Sequence, residues 1–148
     1  MKRLFFTMTL ALSLISLSSF AGDDTNVSEN VIKSFNSSFK SATEVSWSVS
    51  EGYFKASFTL NGQFVAAYYN IDGYMIGMTR NISSTQLPIA LQANLKKSYD
   101  EFWISDLFEL ANEEGTFYYI TLENADSKLV LKSSTDAEWS LYKKQRKS

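Results

Sequence analysis

Two rhythms of apolar and polar positions run along this chain, one at helical spacing and one repeating every second residue. Val31, Phe35, Phe39 and Ala42 share one helical stripe, with Lys33, Asn36, Ser37 and Lys40 opposite. That spacing predicts an amphipathic helix from about Ser28 to Ala42. Val45 to Ser50 then alternates strictly. The alternation predicts a half-buried strand with Val45, Trp47 and Val49 inward, and Glu51-Gly52 as the turn after it.

The sharpest local signal is Asn61-Gly62, set between two β-rich runs, Tyr53 to Leu60 and Gln63 to Asn70. The pair suits a two-residue type I′ turn, which needs positive φ at both central residues. Such a turn sets the register: Leu60 faces Gln63, Phe58 faces Val65, Ala56 faces Ala67 and Phe54 faces Tyr69. This mostly apolar set is the expected core face. Tyr53, Lys55, Ser57, Thr59, Phe64, Ala66 and Tyr68 fall on the other face. Asn70-Ile71-Asp72-Gly73 turns into a third run, Tyr74 to Arg80, whose register stays open by one residue. A two-residue turn at Asp72-Gly73 and a three-residue turn from Ile71 to Gly73 put Tyr74 and Ile76 on opposite faces.

The second half repeats the plan. Thr85-Gln86-Leu87-Pro88 has the form of a helix start, and Leu91, Leu95 and Tyr99 recur every fourth residue. A second helix is expected from about Leu87 to Tyr99. Strands are expected over Phe102 to Ala111, Thr116 to Glu123 and Lys128 to Ser133, with Ala137 to Tyr142 able to close the sheet. Tyr53-Phe54-Lys55-Ala56-Ser57-Phe58 aligns with Phe117-Tyr118-Tyr119-Ile120-Thr121-Leu122. The alignment matches Tyr118, Ile120 and Leu122 to core positions, and Phe117, Tyr119 and Thr121 to outer ones. The expected fold is α+β: two helix-plus-strands repeats, about residues 27–83 and 84–142. Their helices pack on one face of a continuous antiparallel sheet.

The first residues read as an address. Lys2 and Arg3 precede an apolar stretch from Leu4 to Phe20, and Ser19 and Ala21 are small residues at −3 and −1 of a cleavage site. This is the layout of a secretory signal peptide spanning residues 1–21. Its apolar core, about Leu10 to Leu17, falls short of the roughly 20 residues a membrane span needs. The remaining chain, residues 22–148, is expected to be periplasmic or secreted, with no further membrane span.

Composition narrows the chemistry. The 148 residues include neither His nor Cys. Disulfides, thiolate nucleophiles and Cys- or His-ligated metals are thereby excluded, and so is any imidazole base. Net charge is −2, and Lys143, Lys144, Arg146 and Lys147 crowd the last six positions, so the body of the domain is strongly acidic. An acidic body repels phosphate backbones, which argues against nucleic acid. The basic tail, residues 143–148, reads as a solvated, frayed end. No cofactor or metal is expected: Asn70-Ile71-Asp72-Gly73 resembles the opening of a calcium loop, but the later ligands such a loop needs are missing.

The residues also carry a family likeness. The helix bearing Val31, Phe35 and Phe39 is followed by Val45-Ser46-Trp47, then by Tyr53 to Phe58 and Asn-Gly. Ala67-Tyr68-Tyr69-Asn70-Ile71-Asp72-Gly73 comes next, and after Leu87-Pro88 a second helix leads to Tyr119-Ile120-Thr121-Leu122. In order and spacing this resembles the PepSY-like, β-lactamase-inhibitor-like family of small exported proteins. The resemblance implies a helix-and-antiparallel-sheet repeat without enzymatic activity, and suggests protein binding or inhibition by analogy.

Catalysis would have to rest on carboxylates such as Asp106 with Glu109, or Glu113 with Glu114, and a paired-carboxylate mechanism needs two side chains converging across a cleft. The aromatic surplus, 15% of residues, is more informative. Tyr53, Phe64, Tyr68, Phe117 and Tyr119 are all expected on the face away from the helices, together with Lys55. A contiguous exposed aromatic face marks a contact surface, and Tyr suits one because it combines a large rigid area with a polar tip. The expected function is a periplasmic binding module for an envelope protein or peptide, of peptidase- or β-lactamase-inhibitor type, using that face. The alternative is a carrier of an apolar or glycan small ligand.

Overall fold

The computed structural model describes residues 26–133 and 137–148; the expected leader lies outside them. Helix α1 spans Glu29–Ser38 and is followed by strands β1 (Thr43–Ser50), β2 (Tyr53–Leu60), β3 (Gln63–Tyr69) and β4 (Met75–Asn81). Helix α2 spans Ile89–Ser98 and is followed by β5 (Trp103–Asn112), β6 (Gly115–Glu123), β7 (Ser127–Ser133) and β8 (Trp139–Arg146). The eight strands lie side by side in chain order as one open antiparallel sheet, with β1 and β8 at its edges.

The β2–β3 hairpin has the register that Asn61-Gly62 predicts, from Leu60 opposite Gln63 to Phe54 opposite Tyr69. Both turn residues take positive φ, 51° and 78°, which a type I′ turn requires. The β3–β4 hairpin answers the open register in an unexpected way. Next to the turn Tyr69 pairs with Met75, the three-residue-turn register, whereas Tyr68 pairs with Gly77, the two-residue-turn register. A bulge between the two absorbs the extra residue. The turn itself is held by Asn70, whose Oδ1 accepts from the N–H groups of Asp72 and Tyr74.

On the face that carries Phe58, Val31 and Phe35 of α1 pack with Ala56, Phe58, Val65, Ala67 and Tyr69. Sharing that face by register, Leu91 of α2 packs with Leu107, Ile120, Leu122, Leu129 and Leu131. Both helices therefore cover one side of the sheet. Helix α1 stops at Ser38 rather than Ala42 because Phe39 leaves helical geometry, although its N–H still bonds to Phe35 O. The break swings the Phe39 ring to 4.8 Å from that of Phe58. Before α2, Ser84–Gln86 forms a single 3-10 turn closed by a Ser83–Gln86 capping box, so the helix itself begins after Pro88.

Two edge expectations are corrected. Trp47 of β1 reaches the core, its ring 5.2 Å from Phe35, but Val45 and Val49 stay 39% and 53% exposed. They point to the helix side, yet an edge strand has no outer neighbour to cover them. At the other edge the basic residues are not frayed: β8 runs to Arg146, with Lys143 paired to Val130 and Arg146 to Ser127. Lys147 then ties the end down, its Nζ 2.8 Å from Glu123 Oε2 and 2.9 Å from Asn124 O.

Candidate functional site

Because side chains alternate along a strand, the register that fixes the core also fixes what lies on the opposite face. Across the sheet, Thr59 pairs with Phe64, Asn81 with Phe108, Phe108 with Tyr119, Tyr119 with Lys132, and Lys132 with Ser140. A neighbouring row brings Lys55 beside Tyr68, and a third sets Thr79 beside Leu110 and Leu110 beside Phe117. All six residues singled out from the sequence, Tyr53, Lys55, Phe64, Tyr68, Phe117 and Tyr119, therefore lie on the face away from the helices.

They do not form one uniformly exposed sheet of rings. Tyr68 and Tyr119 are only 5% and 6% exposed, whereas Phe64 is 56% exposed. The expectation that every ring would be open to solvent is corrected: side chains from adjacent strands lie over the central rings and cover them. At the β2–β3 end, the Tyr53 ring sits 5.8 Å from Tyr68, and Lys55 Nζ lies 5.7 Å from the Tyr68 ring centre. Burial pushes the Tyr68 hydroxyl above its usual pKa, against a lowering hydrogen bond with Thr79. At the β5–β7 end, Phe108 and Tyr119 stack at 5.1 Å with planes 8° apart, and Tyr142 meets Tyr119 edge-on at 5.7 Å. Lys132 Nζ lies 4.4 Å from the Phe117 ring and 5.6 Å from that of Tyr119.

Phe108, Leu110 and Tyr119 form an apolar cluster here, joined by Phe117 and Val130 and separate from both helix-side cores. Sequence reasoning missed Phe108, Leu110, Tyr142 and Lys132. The bulge between Ile104 and Asp106 breaks the alternation of β5 and hides which side Phe108 takes. Lys132 was legible, since Leu129 and Leu131 mark the inward side of β7.

The candidate carboxylates do not converge. Asp106 pairs with Thr121 on the ring-bearing face and accepts a hydrogen bond from Asn81 Nδ2 at 3.2 Å. Glu109 pairs with Tyr118 on the helix face, where it holds Arg80 through two bonds, Nε to Oε1 at 2.9 Å and Nη2 to Oε2 at 3.1 Å. Glu113 and Glu114 form the exposed turn between β5 and β6. Among the described residues, no three or more His, Cys, Asp or Glu side chains gather as a metal site would need. No described helix is long and apolar enough to cross a membrane.

No family model and no curated protein matches the sequence. Solved structures do match its fold. A Bacteroides eggerthii protein described as periplasmic superimposes with a TM-score of 0.72 at 14% identity, covering 82% of this chain and 89% of its own. A BLIP-like protein of Bacteroides fragilis gives 0.68 at 20% identity, covering 84% and 92%. A DUF2874 family protein of Bacteroides ovatus gives 0.71 at 22% identity, covering 84% and 89%. The BLIP-like side of the sequence resemblance thus has a counterpart in fold.

Proposed function

We propose that this chain is an exported, non-enzymatic binding module of the cell envelope that holds a protein or peptide on the sheet face opposite its helices. One observation carries the reading. An antiparallel sheet covered by helices on one side is expected to be polar on the other, whereas here that side bears an apolar cluster, stacked rings and two ring-bound lysines. Part-exposed rings around a buried centre are suited to a contact surface.

The charged leader followed by an apolar stretch supports export, and the fold likeness to a protein described as periplasmic agrees with it. The BLIP-like neighbour suggests inhibition of a peptidase- or β-lactamase-type enzyme as the specific form of binding. A tandem repeat underlying the sheet is supported by the order helix, four strands, helix, four strands. A small-ligand carrier is the alternative; the depression between Asn81, Ser83, Ser105 and Asp106 is open to solvent rather than enclosed.

The test is a photo-crosslinking residue at position 64, compared with one at Lys33 on the helix side, in intact cells. Specific crosslinks from position 64 that disappear in Tyr53→Ala/Phe117→Ala, with circular dichroism unchanged, support the reading. Equal crosslinking from both positions overturns it.

A further inference from the structure

The two edges of this sheet are treated differently. Strand β8 carries Lys143, Lys144 and Arg146, the charged residues that keep an edge from pairing with another chain. Strand β1 has no basic residue and no proline over its eight positions, and its two valines are open to solvent. Its lone charged residue, Glu44, is engaged at 2.9 Å by the Thr59 hydroxyl. Glu44 also marks the irregular start of the strand, with φ of 54° and a register shift before Ser46. From Ser46 to Ser50 the strand pairs regularly with β2, and no other described strand pairs with its far side.

The sequence of that edge reads the same in both directions. Val45-Ser46-Trp47-Ser48-Val49 is a palindrome centred on Trp47. Antiparallel pairing about a twofold axis sets residue 47 opposite its own copy. Val45 then meets Val49, and Ser46 meets Ser48. The valines share the helix-side face with Trp47, so each exposed valine gains a β-branched cross-strand partner, while the serines pair on the other face. The nearest charges do not collide: Glu44 falls opposite Ser50, and Glu51 opposite Thr43. An isologous contact of this kind closes on itself and leaves the guarded β8 edges outermost.

We infer that β1 is a homodimerisation edge, pairing antiparallel with β1 of a second copy of this chain to continue the sheet across the twofold axis. The inference stands apart from the proposed partner-binding face, because it uses the strand edge and the exposed valines rather than the rings. One strand pair hides less surface than a standard interface, so the dimer is expected to be weak and concentration-dependent.

The experiment is sedimentation equilibrium on the exported protein over a wide concentration range, with circular dichroism as the check on folding. The wild type is expected to dimerise reversibly. Val45→Lys/Val49→Lys sets lysine against lysine twice and is expected to weaken the dimer about tenfold or more. Val45→Glu/Val49→Lys sets glutamate against lysine across the same axis and is expected to restore it. A wild type that stays monomeric throughout overturns the inference, as does a dimer indifferent to both variants. If the lysine pair misfolds the chain, the Glu/Lys variant against a Val45→Glu/Val49→Glu variant makes the same comparison. Partner capture through β1 by a monomeric protein also counts against it.

Discussion

Tyr69 is the residue whose chemistry fits its place least well. Its side chain is fully buried in the α1 cluster, facing the Trp47 ring at 6.2 Å, and its hydroxyl finds no hydrogen-bond partner among the described residues. A buried, unpaired hydroxyl costs about 1–3 kcal/mol, so Tyr69→Phe is expected to leave urea-unfolding stability unchanged or raise it by up to that amount. Burial pushes this hydroxyl up to about 12. The folded chain then keeps a proton that the unfolded chain releases near 10, so this group's contribution falls as pH rises from 10 toward 12. Tyr69→Phe is expected to flatten that alkaline loss, seen by comparing unfolding at pH 8 and pH 11. Gly73 and Gly52 make a second test at the same scale. Both hold positive φ, 91° and 89°, but a Cβ at Gly73 lies 3.0 Å from Asn30 O, while one at Gly52 meets nothing within 4 Å. Gly52→Ala is expected to cost only the backbone term, about 1 kcal/mol. Gly73→Ala must also displace the start of α1 and is expected to cost more, measured by thermal unfolding.

At the scale of elements, legibility in the sequence followed the strength of local chemistry. Asn61-Gly62 fixes two strands at once, because its turn type permits one register and the alternation of Phe58, Ala56 and Phe54 agrees with it. At Ile71-Asp72-Gly73 two turns compete, and the bulge that reconciles them is a tertiary solution that no local pattern shows. The rings were placed on the correct face for the same reason. Their burial was not legible, because it depends on which strands become neighbours across the sheet. The end of β8 was misread because charge alone suggests solvation, whereas Lys147 reaches back to Glu123 and also lies 4.9 Å from the Trp103 ring. Hydrogen bonds from Lys147 and Ser105 pull the Glu123 carboxyl down to about 2, with help from the charges of Lys147 and Lys128. A depressed carboxyl contributes stability above its unfolded value of 4.5, and that contribution is lost as pH falls toward 2. Glu123→Gln is therefore expected to lower stability at pH 7 and to shrink the loss between pH 4.5 and 2. Acid titrations of both proteins by tryptophan fluorescence check this.

For the whole molecule, the question is whether the two helix-covered clusters unfold as one. The α1 and α2 cores are separate, and the ladder that joins their halves is short: β4 meets β5 at four positions, from Met78–Ala111 to Asn81–Phe108. Within that ladder, Arg80 and Glu109 are directly paired and doubly hydrogen-bonded. Asn81 reaches Asp106 on the opposite face, and Gln63 Nε2 bonds to Asn81 O. Side chains thus reinforce both faces of the seam where backbone pairing is sparse. The Arg80 side chain is 42% exposed, so solvent screening limits the ion pair, but the two-bond geometry places it above a simple surface pair. Arg80→Ala is expected to cost about 1–2 kcal/mol. Where that loss falls matters more than its size. If the seam couples the halves, native-state hydrogen exchange in wild type shows the buried amides of β2–β3 and β6–β7 opening with one common free energy. In Arg80→Ala the two sets are expected to separate, the half with the weaker core opening first. Equal loss at both sets in the variant would place the cooperativity elsewhere, in the backbone ladder alone, and the Arg80–Glu109 pair would then be a local contact rather than the join between the halves.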